Sequence, residues 1–129
     1  VSDVKRIVIA DDDDDIRGLM VIAANRAGVE IVAAVDNGRA ALDAVSEGGI
    51  DLAVLDISMP GLNGVEVADA IRGDDATKDT LILMVSASVQ LLTDHGVVAD
   101  RSDSFIIKPF SPRVLSERIR SMLGLVEAV

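Results

Sequence analysis

Along this chain the apolar pattern changes period repeatedly. Short β-branched runs occur at Ile7–Ala10, Glu30–Val35, Leu52–Leu55, Leu81–Val85 and Ser104–Ile107. Runs with apolar residues on both faces suit strands covered on both sides, as in a parallel sheet. Between them the spacing turns helical. Ile16, Leu19, Met20, Ala23 and Ala27 follow i, i+3, i+4 steps, and Gly28 offers a C-terminal stop. A second helix is predicted from about Gly38 to Glu47, ending at Gly48-Gly49. A third starts near Asn63-Gly64 and uses Val65, Ala68 and Ile71, and a fourth spans roughly Val89 to Val98. The fifth follows Ser111-Pro112, a cap with proline at the first helical position, and uses Val114, Leu115, Ile119, Met122 and Leu123. Five β–α units in this length predict an α/β fold: a parallel sheet, doubly wound, with right-handed crossovers.

Composition narrows the class. The 129 residues suit one domain (1–129), with a core over about 5–123 and residues 124–129 as a tail or the start of a linker. Half the residues are apolar, which argues against disorder. No run approaches the roughly 18 apolar residues of a membrane span, and no signal-peptide pattern is present. The absence of cysteine excludes a disulfide framework and thiolate metal sites, and fits a reducing compartment. A net charge of −10 argues against nucleic-acid binding by this segment, which would need clustered Lys and Arg.

Charge also locates the chemistry. Asp11 to Asp15 is an unbroken acidic run into which the first strand drives directly. Each close pair of carboxylates costs about 1 kcal/mol in water and about 4 kcal/mol at an effective dielectric of 20, and a divalent cation would relieve that repulsion. In doubly wound sheets the site lies beyond the carboxyl ends of the strands, at the topological switch point. Strands 1 and 3 would flank that point. They end at Asp11-Asp12 and at Asp56, while the fourth run ends at Ser86 and the fifth at Lys108-Pro109. Three carboxylates, a hydroxyl and an ammonium at one sheet edge is the chemistry of a magnesium-dependent phosphoryl acceptor. Asp56 is the natural acceptor, with Asp11 and Asp12 holding the metal. Lys108 would neutralise one phosphoryl oxygen and Ser86 would donate a hydrogen bond to another.

These segments resemble the response-regulator receiver domains of two-component signalling over essentially the whole chain. The matching stretches are Ile7-Val8-Ile9-Ala10-Asp11-Asp12-Asp13, then Asp51-Leu52-Ala53-Val54-Leu55-Asp56-Ile57-Ser58-Met59-Pro60-Gly61-Leu62-Asn63-Gly64, then Val85-Ser86-Ala87 and Phe105-Ile106-Ile107-Lys108-Pro109-Phe110. The resemblance implies a flavodoxin-like strand order 2-1-3-4-5 with five helices, and a cytoplasmic signalling module. In it Asp56 accepts a phosphoryl group from a sensor histidine kinase or phosphotransfer protein. It implies magnesium, with manganese as a substitute, held by Asp12, Asp56 and the Ser58 carbonyl, with Asp11 acting through water. It further implies a cis peptide before Pro109, and Ser58 and Ser88 at positions that tune phosphoryl lifetime. Ser86 would turn inward on phosphorylation, with Phe105 as the switch aromatic, changing the face of the fourth helix, fifth strand and fifth helix. A downstream output domain or protein and a phosphorylation-dependent homodimer are the partners it implies. The domain is expected not to be an enzyme, beyond assisting its own phosphoryl transfer and dephosphorylation.

Some residues depart from that family's pattern. Asp100-Arg101-Ser102-Asp103 replaces a common Ala-Gly-Ala, Gly96 interrupts the fourth helix, and Asn63 replaces Asp before Gly64. Asp14 and Asp15 are expected to favour the positive end of the first helix, and His95, the only histidine, to be a half-buried surface residue. Two rival readings remain. One is a receiver-fold binding module that works without phosphate. The other takes Asp11-x-Asp13 as the nucleophile motif of a magnesium-dependent haloacid-dehalogenase-type phosphatase.

Overall fold

The computed structural model describes residues 4–94 and 102–125. Ten elements alternate: β1 (Arg6–Ala10), α1 (Asp14–Ala27), β2 (Glu30–Val35), α2 (Gly38–Ser46), β3 (Leu52–Asp56), α3 (Gly64–Arg72), β4 (Leu81–Ser86), α4 (Val89–Asp94), β5 (Ser104–Ile107) and α5 (Pro112–Met122). The five strands form one sheet in the order β2-β1-β3-β4-β5, every pair parallel. Expected and observed elements coincide within a residue or two, except at α4. Its expected continuation to Val98 lies outside the described residues, as do His95 and Gly96. Asp56 and Ser86 prove to be the last residues of β3 and β4 rather than the first residues beyond them.

Strand alternation splits the core into two layers. Val8, Ala10, Ala53, Leu55, Ile82 and Met84 pack on one face with Ala41, Val45, Ala68, Ile71 and Leu92 from α2, α3 and α4. Ile7, Ile9, Leu52, Val54, Leu83 and Val85 pack on the other with Met20, Ala23, Ala24, Leu115 and Ile119 from α1 and α5. β1, β3 and β4 therefore read as unbroken apolar runs because both faces are covered. The edge strands β2 and β5 are less buried than their composition predicts, since each has a neighbour on one side only.

Local signals delimit the helices. The Asp13 carboxylate caps α1 by accepting from Asp15 N–H (2.9 Å) and Ile16 N–H (3.1 Å). Gly28 closes that helix at φ 78°, a left-handed turn suited to glycine. Asn63 and Glu66 form a reciprocal capping box on α3, so asparagine at this position completes the helix start. At the far end, Gly124 (φ 70°) and Leu125, whose N–H reaches Arg120 O at 2.8 Å, close α5. Asp103, in the segment that departs from the family pattern, accepts from Ile82 N–H (2.8 Å) and from Arg72 Nη2 (2.7 Å). That carboxylate ties the entry of β5 to β4 and α3.

Candidate functional site

The carboxyl ends of β1, β3, β4 and β5 meet at one edge because the ladders run on past the strands. Asp11 N–H reaches Val35 O (3.1 Å), Ile57 N–H reaches Val85 O (3.0 Å), and Lys108 N–H reaches Ser86 O (2.8 Å). These bonds deliver Asp11, Asp56, Ser86 and Lys108 to the same place. α3 begins directly above β3, with Gly64 N–H on Ile57 O at 2.9 Å. A Cβ on Gly64 would strike the Asp56 carbonyl, so only glycine permits this approach.

Three acids converge there. Among the described residues, carboxylate oxygens of Asp11, Asp12 and Asp56 lie within 4.8 Å of one another. Asp11 and Asp56 are buried and Asp12 is exposed. Lys108 Nζ stands 3.0 Å from Asp11 Oδ2 and 3.4 Å from Asp56 Oδ1. Asp11 Oδ1 accepts from Asp13 N–H at 2.9 Å. The fully buried Asp11 Oδ2 is thus held by the Lys108 ammonium. Three converging carboxylates, two of them buried, that share a single ammonium are a donor set that a small hard cation fits.

Electrostatics follow from this crowding. Burial, and then the charge of Asp11, raise the Asp56 carboxyl from its ordinary 3.8 to about 6, against the opposing pull of Lys108 and the Ser58 N–H. The ionised Asp56 therefore costs the folded protein stability above pH 6, and that cost fades as pH falls towards 3.8. Burial works against the Lys108 ammonium, yet its contacts with Asp11 and Asp56 outweigh it and hold the pKa above the ordinary lysine value.

The remaining predicted residues fall around this centre. Ser58 is exposed two residues beyond Asp56, and its backbone N–H bonds the Asp56 carboxylate. The Ser86 hydroxyl donates to Ser88 O (2.9 Å) and accepts from Ser88 N–H (3.2 Å), while Ser88 Oγ accepts from Leu91 N–H (3.2 Å) at the start of α4. Ser86 is thus engaged by its own loop. Phe105, paired in register with Met84, is partly buried in the layer of α2, α3 and α4, whereas Phe110 packs in the other layer. The Lys108–Pro109 peptide is cis. The acidic run divides its roles: Asp13 caps α1 and Asp14 pairs with Arg17 at 2.6 Å. Asp11, fully buried, commits one oxygen to Asp13 N–H and faces Lys108 with the other.

Sequence reasoning passed over Arg17, whose Nη1 donates to the Asp11 carbonyl at 2.9 Å. A side chain reaching a backbone oxygen has no motif to betray it. A depression of about 380 Å³ bordered by Lys5, Asp51, Thr77 and Thr80 lies at the opposite edge of the sheet, away from the acids.

Among the described residues no helix is long and apolar enough to cross a membrane. The family model of the response regulator receiver domain matches residues 7–120. The chain is 32% identical over 119 residues to the DNA-binding response regulator MtrA of Mycobacterium tuberculosis, covering 92% of this chain and 50% of that protein. It thus spans about half the length of the curated relatives it matches. Among solved structures, the chemotaxis response regulator CheY4 of Vibrio cholerae superposes with a TM-score of 0.81 at 26% identity, covering 92% of this chain and 98% of that one. The response regulator TrrA of Thermotoga maritima, solved in complex with Mg(2+)-BeF, gives 0.79 at 34% identity, with 92% and 99% covered. Matching family model, strand order and acidic edge together make this chain a member of the response-regulator receiver domain family of two-component signal transduction.

Proposed function

We propose that the domain accepts a phosphoryl group on Asp56 from a phosphohistidine of a sensor kinase or phosphotransfer protein, with magnesium at Asp11, Asp12, Asp56 and the Ser58 carbonyl. The observation that carries this is the meeting of three carboxylates, two of them buried, with one ammonium. An ionised Asp56 oxygen attacks phosphorus, the phosphorus–nitrogen bond breaks, and the imidazole leaves with the bonding pair and takes a proton. Bound magnesium supplies neutralisation of charge on the phosphoryl oxygens. Lys108, already beside Asp56, offers a second positive charge to the same oxygens.

The charge so added draws Ser86 away from Ser88, and Phe105 follows on the same face of the sheet. Moving a two-state equilibrium from 1:99 to 99:1 needs about 5.5 kcal/mol of differential interaction. Two charge-assisted hydrogen bonds at roughly 1.5–3 kcal/mol each supply much of it. The face of α4, β5 and α5 reads out the change. In this reading the domain signals in the cytoplasm rather than turning over a substrate, assisting only its own transfer and dephosphorylation. The relatives' greater length supports an output domain joined to it, and any DNA contact would belong to that domain.

Intact mass before and after acetyl phosphate with magnesium tests the assignment. The wild type should gain one phosphoryl group and Asp56→Ala none; labelling that survives in Asp56→Ala defeats it. pH supplies a second expected result. Since Asp56 must be ionised to hold metal, and its carboxyl titrates at about 6, magnesium affinity should be flat above that pH. It should fall about tenfold per pH unit below it. An amide-detected magnesium titration between pH 4.5 and 8 measures this; a break near 4 instead of near 6 would contradict it.

A further inference from the structure

Asp12 poses a placement problem. It is the exposed member of the three acids, at the mouth of a loop whose consecutive carboxylates repel one another. The peptide that joins it to Asp11 is planar, so fixing the Asp11 carbonyl fixes the Asp12 nitrogen and the plane from which its Cα departs. Arg17 does that: its Nη1 donates to the Asp11 carbonyl at 2.9 Å and its Nη2 pairs with Asp14 at 2.6 Å. The side chain is only 22% exposed. On the other side, Asp11 N–H is held by Val35 O at 3.1 Å. The i,i+3 pair with Asp14 accounts for one arm of Arg17, but neither it nor the macrodipole, which favours anions at the start of α1, accounts for the second arm on the Asp11 carbonyl. The planar guanidinium does, because its fork serves two acceptors in the same loop at once.

The geometry points to Arg17 as a positioning residue for the metal site: by clamping the Asp11–Asp12 peptide it presets the Asp12 carboxylate for a divalent cation. This rests on the reading of the acidic edge proposed above. Outer contacts that orient metal ligands typically change affinity by about tenfold or more when removed, and Arg17→Ala should raise the magnesium Kd by about that factor. Labelling by acetyl phosphate should fall at limiting magnesium and recover at excess. Arg17→Lys should lie between, since an ammonium can hold one acceptor without the fork. Asp14→Asn, which removes only the exposed ion pair, should shift Kd by less than about fivefold.

Magnesium titrations by amide NMR, each with a thermal melt, decide the matter. A purely structural role would lower Tm and leave Kd unmoved, and that result overturns the inference. If Arg17→Ala does not fold, Arg17→Lys and Arg17→Gln take its place, and an unchanged Kd in both overturns it equally. Wild-type protein that binds no magnesium defeats this inference and the proposed function together. A wild type that binds metal and takes phosphate, with Arg17 variants indistinguishable from it, defeats the role of Arg17 alone.

Discussion

Replacing Lys108 with methionine is expected to destabilise the metal-free protein by about 3 kcal/mol at pH 8, and by clearly less at pH 5. Methionine keeps much of the alkyl stem, so the loss is one of charge. The Lys108 side chain is 20% exposed, while Asp11 is fully buried and Asp56 nearly so. Without the ammonium, two buried carboxylates face each other with no cation between them. Asp56, already raised to about 6 by burial and Asp11, loses the lysine's opposing pull and moves higher still. Below that value it takes a proton and one of the two charges disappears, which restores stability. The sign is therefore a deficit that grows as pH rises through the Asp56 pKa. Urea unfolding at pH 5 and pH 8 measures it, and magnesium should return part of the loss at pH 8 by mass action. A loss of equal size at both pH values would mean that Lys108 contributes packing and not charge.

Gly64→Ala is the second large effect: a loss of about 3 kcal/mol together with weakened magnesium binding. The added Cβ would meet the Asp56 carbonyl and come within 3.0 Å of the Asp56 carbonyl carbon and Ile57 Cα. Those atoms belong to the backbone of a central strand paired on both sides, so nothing flexible can yield. Relief must come from lifting α3 or from shifting the end of β3, and the second displaces Asp56 itself. Gly18→Ala is the matched control. Gly18 lies inside α1 with nothing within 4 Å of a new Cβ, and alanine there should add about 1 kcal/mol. Denaturant midpoints and a magnesium titration compare the pair. Wild-type stability in Gly64→Ala would show that the β3–α3 junction is loose.

Both effects concern residues that the sequence marks in different ways. Lys108 stands out as the lone cation at the end of an apolar run. Gly64 is visible as part of Asn63-Gly64, but its contact with Asp56 is not. The same division runs through the molecule. Asn63 with Glu66 three residues on is a readable cap, as is Gly28 after the stripe of α1. By contrast Asp51 holds the Arg6 N–H at 2.8 Å, and Arg118 holds the Phe105 carbonyl at 2.6 Å. No periodicity signals such bonds, because one partner is backbone and the other is distant in sequence. The hydroxyl of Ser86 is a middle case. Its strand-end position was legible, while its engagement with Ser88 depends on how the loop after β4 turns.

By itself the order of residues determined the number and kind of elements, the placement of acids, hydroxyl and ammonium at strand ends, and thereby the class of chemistry. Those properties are local: alternation and helical spacing are satisfied within a few residues and survive any arrangement of the strands. Only the tertiary structure decided how the charges meet. Strand order sets β1 beside β3, and ladder bonds continuing past the strands bring Lys108 between Asp11 and Asp56. Burial then raises the Asp56 carboxyl and leaves Lys108 as the charge that faces both buried acids. Distance and desolvation arise from contacts between segments far apart in the chain, and no window along the sequence contains them.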